Sequence, residues 1–74
     1  MVFDFSKLNG RIVEKFGTRA AFAAAAGYTK SQLSARLNNQ VHFPADEIRK
    51  LCDPALLDLQ LSDIPVYFFT LKVR

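Results

Sequence analysis

Cys52 and His42 are the chain's single thiol and single imidazole, the side chains best suited to nucleophilic or metal chemistry near neutral pH. One cysteine excludes an internal disulfide, and one of each falls short of a structural zinc ligand set. A Cys–His nucleophile also needs a third group to orient the base, and neither that group nor a glycine-rich phosphate loop is evident. No serine stands in a G-x-S-x-G setting. Cys52 falls on an apolar stripe and reads as a small core residue. His42 reads as a surface loop histidine, with phosphate contact as its other use. No enzyme and no cofactor are expected.

The remaining chemistry is that of cations and small polar groups. The formal net charge is +3 over 74 residues, and it is unevenly spread. Residues 1–42 carry Lys7, Arg11, Lys15, Arg19, Lys30 and Arg36 against Asp4 and Glu14. Residues 43–74 carry Arg49, Lys50, Lys72 and Arg74 against Asp46, Glu47, Asp53, Asp58 and Asp63. A basic half points to a polyanionic partner such as nucleic acid, and equally to a solvated surface with a mild excess of cations.

The elements that must position these groups are short and well punctuated. Half the residues are hydrophobic and 23% are charged, the composition of one globular domain spanning residues 1–74. No run approaches the roughly 20 apolar residues of a membrane span. Val2–Phe5 carries Asp4 and does not read as a secretory signal. A reduced, cytoplasmic setting is expected, with no membrane partner.

The first helix is expected from Phe5 to about Phe16, with Asp4 as N-cap and Phe3 and Leu8 as a hydrophobic staple. Phe5, Leu8, Ile12 and Phe16 recur at steps of three and four and form its apolar face. Gly17 ends it. Thr18 caps a second helix, Arg19 to Ala26, rich in alanine, with Phe22 as its one large side chain. Gly27 stops that helix. Thr29 and Gln32 then form a T-x-x-Q capping box for a third helix over about 30–38, with Leu33 and Leu37 turned inward. A fourth helix is expected at about Ala45 to Cys52, and a fifth at roughly Pro54 to Leu59, capped by Asp53. Ser62 and Asp63 allow one more turn at most, because Pro65 follows. From Phe68 on, the period becomes two, the strand signal. Such a strand needs a partner from elsewhere in the chain or from a second copy, and the alternative is an extended tail packed on the helices. The expected fold is all-α, five short helices with either a short C-terminal strand or that extended tail.

Two capped helices separated by Gly27, Tyr28 and Thr29, the second with an apolar inner edge and a small polar outer edge, have the layout of a helix-turn-helix. An ordinary helical hairpin in a bundle is the plainer reading. The stretch GTRAAFAAAAGYTKSQLSARLNN resembles the phage Cro/repressor (lambda-repressor-like) helix-turn-helix family. The opening FDFSKLNGRIVEKFGT and the close YFFTLKV are similar to small regulators encoded by phages of Gram-positive bacteria. The resemblance covers nearly the whole chain. It implies five short helices, a transcriptional regulator of the lysis–lysogeny switch in a bacterial host, and double-stranded DNA as partner.

By matched position, the resemblance implies base contacts from Lys30, Ser31, Ser34 and Ala35. Lys30 can donate to guanine, the serines discriminate weakly, and Ala35 meets only a thymine methyl. Gln32 can reach adenine, in competition with its capping box. Phosphate contacts are implied for Thr18 and Arg19 at the start of the second helix, and for Asn38 and Asn39 at the end of the third. The family usually has an apolar residue where this chain has Arg36; Leu37 takes over the packing, and Arg36 is left solvated or reaching a phosphate. The base-reading set is poor in bidentate groups. The aromatic tail, Tyr67, Phe68 and Phe69, is the candidate contact for a homodimer or another protein, since adjacent residues of a strand face opposite ways. Small phage regulators of this kind also act by docking on a larger repressor, silencing or assisting it, and that is the second functional expectation.

Overall fold

Local capping decides where the first three helices begin. A computed structural model describes residues 2–72. Helix α1 spans Ser6–Phe16, with Phe5 at the N-cap position. The expected cap, Asp4, works one residue earlier: its Oδ1 accepts from the Ser6 amide at 2.8 Å and from the Ser6 hydroxyl. Those two bonds hold its carboxyl below the ordinary value. Helix α2 spans Arg19–Ala26, and Thr18 Oγ1 accepts from the Ala21 amide at 3.1 Å. Helix α3 spans Lys30–Leu37 with both halves of the Thr29–Gln32 capping box formed. Between them Gly27 adopts φ +84°, a left-handed turn that a Cβ disfavours.

Helix α4 spans Ala45–Leu51, acidic in its first turn and basic in its last, as the helix dipole favours. The expected helix at Pro54–Leu59 does not form. The chain turns back instead, so that the Leu57 and Leu59 amides donate to the Leu51 and Cys52 carbonyls at the end of α4. This answers carbonyls that a helix end leaves open. It also buries the adjacent pair Leu56 and Leu57 together, which one face of a short helix would not do. Arg11 of α1 clamps the turn, donating from Nε to the Leu57 carbonyl at 2.8 Å and from Nη2 to that of Asp58 at 3.0 Å.

The fifth helix lies later. A single 3-10 turn, Leu61–Asp63, leads into α5, Ile64–Phe68. Pro65, expected to end the turn, sits instead in the first turn of α5, where its missing N–H has no helical partner to lose. The expected strand therefore does not start at Phe68, which is the last residue of α5. Beyond it, residues 70–72 run antiparallel to residues 2–4, with one bridge pairing Phe3 and Leu71. The Asp4 amide donates to the Thr70 carbonyl at 2.7 Å and the Lys72 amide to the Val2 carbonyl at 3.0 Å. The partner segment thus comes from the chain's own start. Val73 and Arg74, the end of the expected strand, lie outside the described residues. Among the described residues the fold is all-helical, five α-helices with no sheet beyond this bridge.

The core joins α1, α2, α3 and α4 to the Leu56–Leu57 turn and α5. Phe22, Phe68, Leu8, Ile12, Leu51 and Leu57 are its largest wholly buried side chains, each worth about 1.5–3 kcal/mol of burial. Phe43 lies edge-on to both Phe5 and Phe68, with centroids 5.6 and 5.3 Å away, and closes the core below the end of α3.

Candidate functional site

The pair α2–α3 is held by its inner face. Phe22, Ala23, Ala26, Leu33 and Leu37 are all buried. The Tyr28 amide donates to the Ala23 carbonyl at 2.8 Å, fixing the turn. Lys50 of α4 donates from Nζ to the Ala26 carbonyl at 3.1 Å, a cation at the carbonyl end of α2. Thr18 spends its hydroxyl on its own helix, and Gln32 spends its side-chain oxygen on the Thr29 amide.

The outer face carries Lys30, Ser31, Gln32, Ser34 and Asn38, all exposed, with Ala35 half-buried. Asn38 donates from Nδ2 to Ser34 Oγ at 3.1 Å, so those two act as one polar unit. Arg19 is exposed at the start of α2. Between the two helices lies a groove of about 200 Å³ lined by Arg19, Ala20, Ala23, Lys30, Leu33 and Ser34. The structure thus brings Arg19, Lys30 and Ser34 together.

Arg36 is placed otherwise than expected. Its Nε donates to Glu47 Oε1 at 2.9 Å, its Nη2 to Glu47 Oε2 at 3.2 Å, and its Nη1 to the Gln32 carbonyl at 3.0 Å. The Tyr28 hydroxyl donates to the same Oε1 at 2.6 Å, and the guanidinium lies 5.0 Å from the Tyr28 ring centroid. Each guanidinium nitrogen donates within the chain, so Arg36 is neither solvated nor aimed at a phosphate. The pair is largely shielded, with side chains 14% and 28% exposed. The Arg36 bonds hold the Glu47 carboxyl below its usual range, while burial, then Glu47, pushes the Tyr28 phenol up.

Asn39 is also structural rather than phosphate-facing. Its backbone is left-handed, φ 63°. Its amide oxygen accepts from the Phe3 N–H at 2.8 Å, and its Nδ2 donates to the Phe3 carbonyl at 3.1 Å. This amide fixes the chain start against the end of α3. The aromatic tail splits. Phe68 is buried, because it ends a helix facing Phe43 and does not lie on a strand, so it offers no surface to a partner. Tyr67 is half-buried, and Phe69 is 49% exposed, edge-on to Phe3 at 5.7 Å.

Glu47, Tyr28 and Lys50 were not among the expected site residues. Glu47 lies eleven residues from Arg36, with nothing local to mark the pairing. His42 is exposed, and burial pushes the Cys52 thiol up. Among the described residues no group of three or more metal-ligating side chains occurs, and no helix is long and apolar enough to cross a membrane.

No curated protein matches this chain. Among solved structures, it is similar to the solution structure of the modulator of repression (MOR) of the temperate bacteriophage TP901-1 from Lactococcus lactis. The two are 43% identical, the match covers 100% of this chain and 97% of that one, and the TM-score is 0.81. A family described as a protein of unknown function, DUF739, matches residues 1–71. That match takes in nearly the whole chain, which belongs to the family.

Proposed function

We propose that this chain is a small phage-type regulator that acts on a phage repressor by direct protein contact, in the cytoplasm of a bacterial host. The observation that carries the reading is the full-length likeness, at 43% identity, to a phage modulator of repression. The α3 face agrees with it. Base edges are read best by bidentate donors, yet Arg36 is taken up by Glu47, and the face is left with one lysine, two serines and two side-chain amides. The role is one of binding, without catalysis.

A second reading has its own support. The capped α2–α3 pair, with its tight turn and small outward side chains, suits a helix-turn-helix entering a major groove. In that reading Lys30, Ser31, Gln32, Ser34 and Ala35 meet bases, Thr18, Arg19 and Asn38 meet phosphates, and a homodimer, through Tyr67 and Phe69, spans two half-sites.

One pair of measurements separates them. The repressor of a temperate phage is immobilised and challenged with this protein, and sheared bacterial and phage DNA is offered to the protein at about 150 mM salt, near physiological ionic strength. The proposed function predicts retention by the repressor and no enriched duplex. Enrichment of a short palindromic site, with log K falling against log salt at a slope of about −4 to −5, overturns it in favour of the operator-binding dimer.

A further inference from the structure

The groove between α2 and α3 combines features found together nowhere else among the described pockets. Its floor is apolar: Ala23 and Leu33 are buried, 3% and 2% exposed, and the Ala20 methyl forms an open wall. Its rim carries two cations, Arg19 and Lys30, and one hydroxyl, Ser34. From Lys15 through Ala45 the sequence holds no acidic residue. Among the described residues the ion pairs are Arg11–Glu14 and Arg36–Glu47, and neither involves the rim. On the same helix, Arg36 has its charge matched by a carboxylate from α4. Among the described residues the rim cations have no such match, and they flank a hollow of about 200 Å³ lined mainly by carbon.

We infer that this groove is a docking site for an acidic amphipathic helix of a partner protein, which seats one aliphatic side chain against Ala20, Ala23 and Leu33 and sets carboxylates against Arg19 and Lys30. The inference rests on the protein-contact reading above and names its surface. Charge complementarity fixes the sign of the occupant. The apolar floor fixes its class, because duplex DNA carries its methyl groups on base edges inside the major groove, apart from its phosphates, whereas a helix places an apolar residue beside acidic neighbours at spacings of three and four. The cations steer the encounter and set its salt dependence; the seated side chain excludes water.

The test uses the full chain and three probes: a cross-linked helical peptide with leucine on one face and flanking glutamates, the same peptide with glutamines, and a random-sequence duplex. Each is titrated at about 150 mM salt while backbone amides are followed by NMR. The glutamate peptide is expected to shift the amides of Arg19, Ala20, Ala23, Lys30 and Ser34, and the glutamine peptide to bind at least tenfold more weakly. The exposed double variant Arg19→Glu, Lys30→Glu should lose binding at least tenfold. Ala20→Gln, which fills the groove without changing charge, should do the same with an unchanged melting temperature. No shift at these residues, or a duplex that displaces the glutamate peptide from them, overturns the inference. The repressor capture then separates the two readings. If wild type and double variant are captured equally, the groove is wrong and the proposed function stands. If wild type is not captured, that function falls, and the peptide titration still judges the groove.

Discussion

Replacing Glu47 by Gln tests whether the Arg36 cluster orients α3 or merely decorates it. The substitution keeps size and one carbonyl oxygen but removes the charge that takes two guanidinium bonds and the Tyr28 hydroxyl. A hydrogen bond to a charged group is worth about 1.5–3 kcal/mol. Removing one partner of a fully buried pair costs about 3–5 kcal/mol. The pair here is 14% and 28% exposed, so water recovers part of the loss and about 2 kcal/mol is expected. In a domain of this size that lowers Tm by about 8–16 °C. Thermal and urea unfolding followed by circular dichroism reads it, and a double-mutant cycle with Arg36→Met isolates the pairwise part. The pH dependence gives an independent check. A carboxylate held below its unfolded value stabilises the fold fully above about pH 4.5, the ordinary glutamate value, and that contribution is lost as pH falls through the lowered folded-state value. Wild type should therefore lose its margin over Glu47→Gln on acidification. A loss below about 0.5 kcal/mol, the range of an exposed ion pair, with parallel acid profiles, would refute the argument that this pair sets the pose of α3.

The other expectations are narrower. Asn39→Ala should cost about 2–3 kcal/mol, from two lost bonds to Phe3 and from alanine's poorer tolerance of φ 63° than asparagine's; Asn39→Gly should cost less, and equal urea midpoints for the two would show that backbone strain contributes nothing. Phe68→Ala should cost about 3–5 kcal/mol as a core truncation, while Phe69→Ala at a half-exposed site stays near or below about 1 kcal/mol by chemical unfolding; the reverse order would mean the tail packs the other way round. Because burial and Glu47 both favour the neutral phenol, an absorbance titration should show a tyrosine ionising well above pH 10 that disappears in Tyr28→Phe. Its linked stability is present below pH 10 and falls away as pH rises beyond it; a high-pH step that survives in the variant would assign the shift elsewhere.

The parts of this fold that were legible in the sequence are those in which cause and effect lie within one turn. Thr18 with Ala21, Thr29 with Gln32, and Gly27 in its left-handed turn involve neighbours only, and α2 and α3 fall where those signals put them. The misreadings fall where a distant group overrides a local preference. Asp53 and Pro54 are good starting signals for a helix, but the burial of Leu56 with Leu57 and the open carbonyls of α4 take the chain another way. Pro65 can stop a turn or begin a helix, and only the packing of Phe68 against Phe43 decides which. Period-two alternation after Phe68 did mark extended chain, but only from residue 70, after the helix had ended. The site divides on the same line. Exposure of Lys30, Ser31 and Ser34 follows from helical spacing, whereas the roles of Arg36 and Asn39 depend on Glu47 and Phe3, far away in sequence.

That division bears on how the proposed interaction face would work. Helix α3 has eight residues, too few to hold its shape alone, and it is pinned at both ends by groups from outside it. Near its start, Tyr28 is tied to Glu47, and Lys50 holds the end of α2 just before the turn. Near its end, Arg36 reaches the same Glu47, and Asn39 grips the chain start at Phe3. The residues between, on the outer side, take little part in that support: Lys30, Ser31 and Ser34 are exposed, and Ser34 bonds only its neighbour Asn38. Substitutions there should cost little stability, so a loss of binding can be read as a loss of contact. Substitutions at Tyr28, Asn39 or Glu47 should weaken binding and lower the melting temperature together, because they loosen the pose of α3. A partner that meets this face meets a surface already rigid, and needs to spend little ordering free energy on it.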